Sequence, residues 1–142
     1  FMLLLLSCGG TPLTPEEALT KRAESFSLTT TGEDWLESHK YLSPRTREVC
    51  KNGEYALVME MGFSMLTGFM GMPEDAKLTF SVLRVTVDGD IGRVYSETKH
   101  DGDVIELGGE DDTGEGWVED WVYVDGEWWL EGDDWETTCD LF

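Results

Sequence analysis

The chain has 142 residues, 40% hydrophobic and 11% aromatic, enough for one folded domain with its own core and too apolar for a disordered segment. Its formal net charge is −20 at pH 7, and from residue 101 onward it carries 16 Asp or Glu and no Lys or Arg. Such a surface repels phosphate, which excludes nucleic-acid binding and adhesion to anionic headgroups. It suits either simple solubility or a salty environment that screens the self-repulsion.

Residues 1–8, FMLLLLSC, form an apolar run too short to span a bilayer. They read as the end of a secretory signal peptide. Leu5-Leu6-Ser7-Cys8 resembles the bacterial lipoprotein box, which implies cleavage before Cys8 and acylation of that residue. Each buried CH₂ contributes about 0.8 kcal/mol, so several acyl chains would hold a small domain at the envelope. The expected location is therefore extracytoplasmic, with the membrane contacted through the lipid anchor only. Residues 9–14 read as a tether and residues 15–142 as a single domain.

Thr14-Pro15-Glu16-Glu17 is a helix start with a capping box, and Leu19, Ala23 and Phe26 give the helix an apolar face. Residues 33–42 predict a second helix carrying Trp35, His39 and Leu42 on one face. Ser43-Pro44 starts a third. Residues 54–72 predict a long helix whose polar stripe, Glu60, Ser64 and Thr67, is narrow, so it is expected to be packed on most sides. Its five Met between positions 59 and 72 suit a soft core or an adaptable surface, and core is the first reading.

From Lys77 the period becomes two. Leu78, Phe80 and Val82 alternate, then Leu83, Val85 and Val87 continue out of phase, which predicts a bulge near Val82-Leu83. Strands follow at 91–99 and 104–107, separated by Asp-Gly turns, and then an acidic, Gly-rich loop at 108–116. Residues 116–132, GWVEDWVYVDGEWWLEG, read as a hairpin around Asp125-Gly126 and hold four of the six tryptophans. A two-residue turn pairs Val124 with Glu127, Tyr123 with Trp128 and Trp121 with Leu130. Trp117, Trp121, Tyr123, Trp128 and Leu130 then share one face, an aromatic wall that the upstream helices are expected to cover. Helices followed by an antiparallel meander give an α+β fold.

Three stretches carry a resemblance to a known superfamily. They are Trp35 through Tyr41-Leu42-Ser43-Pro44-Arg45-Thr46-Arg47, then Val85-Thr86-Val87-Asp88-Gly89-Asp90, and Tyr123-Val124-Asp125-Gly126-Glu127-Trp128-Trp129. Together, over roughly residues 15–135, they resemble the nuclear transport factor two superfamily, which includes the SnoaL-like and ketosteroid-isomerase-like domains. The resemblance implies a cone-shaped fold, N-terminal helices packed on a strongly curved antiparallel meander, with a pocket between the sheet and the first helices. Members include enzymes, ligand-binding domains and dimerising domains, so the fold does not fix function.

With Cys8 assigned to lipid, Cys50 and Cys139 remain, and export to an oxidising compartment favours a disulfide between them. It would tie the C-terminal tail to the helical half, worth about 4–5 kcal/mol in the chain-entropy model. No Cys or His cluster has zinc-ligand spacing, and there is no phosphate loop or nucleophile elbow. The acidic loop at 110–115 lacks EF-hand spacing and reads as solvated rather than calcium-binding. No metal or cofactor is implied.

The first functional reading is non-catalytic: a small apolar or aromatic ligand, or a protein partner, held by Trp35, His39, Tyr41, Trp121, Tyr123 and Trp128. The second is an isomerase- or dehydratase-like enzyme with His39 as general base, oriented by Asp34 or Tyr41. The third is a domain with a filled core that pairs through its sheet as a homodimer.

Overall fold

The computed structural model describes residues 10–105, 117–132 and 135–140. Cys8 and the acidic loop at 110–115 lie outside them. The chain folds as α+β, helices first and then an antiparallel sheet, with one short helix returning at the end.

Helix α1 (Pro15–Thr31) starts on the expected capping box: the Thr14 hydroxyl accepts the Glu17 N–H and the Glu17 carboxylate accepts the Thr14 N–H, both at 3.2 Å. Leu19, Ala23, Phe26 and Thr30 are buried, a three-to-four spacing that defines the inner face. The predicted helix over 33–42 is two pieces, α2 (Trp35–Ser38) and a 3₁₀ turn at His39–Tyr41. The Leu42 N–H bonds back to the His39 carbonyl, three residues away, which tightens the last turn. Leu42 then bridges to Leu130 of the sheet, and the Ser43 N–H donates to the Leu130 carbonyl at 2.9 Å. That tertiary pairing draws the chain out of helical geometry. Ser43 caps α3 (Pro44–Val49), and α4 (Asn52–Phe69) follows.

The sheet contains β1 (Thr79–Asp88), β2 (Ile91–His100), β3 (Asp103–Ile105), β4 (Trp117–Val124) and β5 (Glu127–Leu130). Its order is β1-β2-β4-β5, and β3 pairs with the far end of β2, so β3 and β4 share one edge of that strand. The register between β1 and β2 slips between Val82 and Arg84, leaving Leu83 as the extra residue. This bulge restores the parity that the sequence breaks: Val82, Val85 and Val87 all pack against the core, and Leu83 is exposed. The β4–β5 hairpin has the register expected from its turn, Trp121 opposite Leu130 and Tyr123 opposite Trp128. Asp125 and Gly126 both have positive φ, 51° and 82°, as the tight primed turn requires.

Helix α1 crosses the inner face of the sheet. Leu19 sits where any Cβ on Gly92 would stand, 2.4 Å from its Cδ2, so the glycine is what lets helix and sheet close. Phe26 meets the edge of Trp121 at 5.8 Å, and the Thr31 hydroxyl accepts the Phe80 N–H of β1 at 3.0 Å. Trp121 and Trp128 are each only 1% exposed. The helix α5 (Trp135–Cys139) is joined to the end of α3 by a disulfide between Cys50 and Cys139, whose Cα atoms are 5.4 Å apart.

Candidate ligand-binding cleft

The helices do not fill the whole inner face of the sheet. A cleft of about 620 Å³ remains between the C-terminal half of α1, helix α4, the start of β4 and α5. That volume lies within the range of small-molecule sites. Its lining is mainly apolar and aromatic, with Phe26 from α1, Tyr55 and Phe63 from α4, Phe80 from β1, Trp117 from β4 and Trp135 from α5. Phe63 bridges the walls, 5.0 Å from Trp35 behind it and 5.7 Å from Phe80 across. Tyr55 packs on Trp135 at 5.0 Å. Gly132 allows this, because a Cβ there would stand 2.1 Å from the Trp135 ring.

Two polar groups of the sheet face the cleft. Side chains alternate along β4, so Trp117, Glu119 and Trp121 share the inner face. On β2, Gly92, Val94 and Ser96 stand opposite Trp121, Glu119 and Trp117 in turn. Ser96 is 4% exposed, lines the cleft, and its hydroxyl has no hydrogen-bond partner among the described residues. A buried hydroxyl without a partner costs about 1–3 kcal/mol, so such groups are uncommon; the Trp128 Nε1 and Arg47 Nε atoms share this condition away from the cleft, and Ser96 is the one of the three that lines it.

Glu119 is the second group. One carboxylate oxygen accepts the Trp121 Nε1–H at 3.2 Å. Burial pushes its carboxyl from 4.5 up to about 7, and the Trp121 bond offsets only part of that. Burial also raises the Tyr55 phenol well above its ordinary value, and the nearby Glu119 charge adds to the shift. Glu131 also lines the cleft, whereas the Asp120 carboxylate pairs with Arg93, 3.5 Å away, with both side chains mostly exposed. Among the described lining residues none is Lys, Arg or His.

The six residues expected to form the binding wall lie elsewhere. Trp121 and Trp128 are core, packed under α1. Trp35 is buried behind Phe63. Tyr41 lies under the Arg22 guanidinium, 4.4 Å from it, and Tyr123 is 41% exposed at the hairpin end. His39 Nε2–H donates to the Cys50 carbonyl at 2.7 Å, and its ring rests against Tyr55 at 5.6 Å. Asp34 caps α2 through the Glu37 N–H. The aromatic wall is therefore largely filled by α1, and the space opens further along the same strands.

Sequence reasoning missed Glu119, Ser96, Tyr55, Phe63 and Trp135. The signal for Glu119 was present: the alternation that places Trp117 and Trp121 on one face places Glu119 between them. No comparable signal marks Tyr55 or Trp135, whose roles depend on how α4 and α5 dock.

Fold and cleft together define an α+β domain with a partly hollow interior. The sequence matches no protein-family model and no curated protein, so what the cleft does rests on its own chemistry.

Proposed function

We propose that this domain binds a small, predominantly apolar ligand in the cleft between α1, α4 and the sheet, without transforming it. The observation that carries this reading is the buried Ser96 hydroxyl, without a partner among the described residues, in a mainly apolar and aromatic space of about 620 Å³. Apolar walls supply burial at about 25 cal/mol per Å², and one or two polar groups then set orientation. The cone-shaped architecture of the nuclear transport factor two superfamily is part of the proposal, since a pocket between the sheet and the first helices suits that resemblance. A lipid anchor at Cys8 would hold the domain on the outer side of a membrane. Among the described residues no helix is long and apolar enough to cross one.

The test uses N-phenyl-1-naphthylamine, a neutral probe that brightens in apolar surroundings, together with native mass spectrometry of the protein isolated from its own cells. Saturable brightening is expected, and it should be lost in Ser96→Trp, which fills the cleft. A discrete adduct that disappears on denaturation would give the natural ligand's mass. No brightening and a bare mass would overturn the reading and leave a filled core.

A second reading is supported by Glu119 alone. A carboxyl that titrates near 7 inside a cleft has the properties of a general acid or base. In this reading an isomerase- or dehydratase-like step would run through Glu119 rather than His39, whose Nε2 is engaged by the Cys50 carbonyl. Turnover of a carbonyl substrate, lost in Glu119→Gln, would establish it.

A further inference from the structure

The ligand's charge follows from how the cleft is lined, given the binding role proposed above. We propose that the cleft selects an amphiphilic cation, an apolar body bearing one protonated amine or quaternary ammonium, whose charge meets Glu119 among the aromatic rings.

Glu119 lies on the inner face of β4, and the one hydrogen bond it receives among the described residues comes from Trp121. A carboxylate has room for about four such bonds, so the described residues use only part of its accepting capacity. No Lys, Arg or His among the described lining residues stands ready to pair with it. A partly buried carboxylate without a cation beside it is unfavourable, and a ligand that brings the cation supplies what the described lining lacks. Ser96 is an independent polar group on the same lining: its nearly fully buried hydroxyl has no hydrogen-bond partner among the described residues and is free to accept or donate to a ligand. On β2 it is two residues from Val94, the cross-strand partner of Glu119.

The rest of the lining agrees. Tyr55, Phe63, Trp117 and Trp135 surround the cleft, and aromatic faces attract alkylammonium groups while repelling carboxylates. Strands β4 and β5 and helix α5 come from the part of the sequence that has no Lys or Arg at all, so their field also favours cations. An anionic ligand would meet Glu119 and Glu131 with no compensating charge among the described lining residues. A neutral ligand would gain the apolar walls and leave Glu119 as it stands.

Three matched compounds separate these cases: 4-phenylbutyltrimethylammonium, 4-phenylbutanol and 4-phenylbutyrate. Each is titrated calorimetrically into the full domain at pH 8 in 0.15 M salt, which screens diffuse surface attraction. The cation is expected to bind about tenfold tighter than the alcohol or better, and the carboxylate not measurably. The cation must also displace N-phenyl-1-naphthylamine, a requirement independent of any variant. Glu119→Gln keeps shape and can still accept the Trp121 bond; it should erase the advantage of the cation and leave the alcohol within about twofold.

If the alcohol binds as well as the cation, the cleft stands and the charge selection falls. Should the cation bind tightly to Glu119→Gln, its attraction is to the acidic surface at large and the inference also falls. Where neither the naphthylamine nor any of the three compounds binds, the cleft reading fails together with this one.

Discussion

The two ends of the sheet's inner face are built from the same strands and finished differently. At one end Gly92 and Val94 of β2, with Trp121 and Trp128, close against Leu19 of α1 so tightly that a single Cβ on Gly92 would collide. At the other end, a few residues along the same two strands, Ser96, Glu119 and Trp117 line open space. The closed end spends its largest side chains on packing, and even there the Trp128 indole N–H is buried without a partner among the described residues. The open end keeps a hydroxyl and a carboxyl in places where they weaken the fold. A domain optimised for stability alone would have apolar residues at both ends, so the difference points to function at the open one.

The largest expected effect falls on the closed end. Trp128→Ala removes a side chain that is 1% exposed and packed beneath α1, and should destabilise the domain by about 3–5 kcal/mol in urea unfolding. A loss below about 1.5 kcal/mol would mean that the core collapses easily around the gap, and the contrast between the ends would weaken.

The disulfide comes next. It closes a sequence separation of 89 residues and holds α5, which carries Trp135 against Tyr55, to the end of α3. Replacing both cysteines by serine should cost about 2–5 kcal/mol. It should also weaken probe binding, since one wall of the cleft loses its anchor. Full stability with unchanged binding would show that α5 docks through its side chains alone.

Glu119 gives a pH signature of opposite sign to the usual stabilising carboxylate. Its folded value is raised from 4.5 to about 7. Between those values the unfolded chain has released the proton and the folded chain keeps it, so stability falls as pH rises through this window and levels off above it. Below about pH 4 the group is neutral in both states and contributes nothing. Glu119→Gln should therefore match the wild type near pH 4 and exceed it at pH 8, by up to about 3 kcal/mol. Unfolding of the two proteins at both pH values checks this. A variant less stable than the wild type at pH 8 would show that the carboxylate is well satisfied. Ser96→Ala should be smaller, neutral or stabilising by about 0.5–1 kcal/mol, because it removes an unpaired buried hydroxyl.

Much of the closed end was legible in the sequence, and the reason is locality. The Asp125-Gly126 turn sets the hairpin register, the Thr14 capping box sets the start of α1, and the lost phase at Val82-Leu83 marks the bulge; each signal lies within a few residues of its effect. The open end is a product of tertiary spacing. That Trp121 is core and Trp117 lines a cleft depends on where α1 ends and α4 begins to cover the sheet, which no period reveals. The second predicted helix also broke for a distant reason, the pairing of Leu42 with Leu130.

Helix α4 shows the same limit and carries the smallest expected effect. Its apolar composition led to an expectation of burial on most sides, yet Tyr55 is its only fully buried side chain among the described residues. Met65 is 72% and Phe69 93% exposed, towards the C-terminal end of the helix. Composition reports that a helix is apolar and not how many of its faces find a neighbour. A side chain as open as Phe69 contributes little to folding, so Phe69→Ser should leave the unfolding free energy within about 0.5 kcal/mol of wild type at low protein concentration. The measurement sharpens the comparison between the two ends, because it fixes the boundary of the core on its helical side. A loss of more than about 1 kcal/mol that grows with protein concentration would place a second copy of the domain against the C-terminal end of α4, which would then be covered after all.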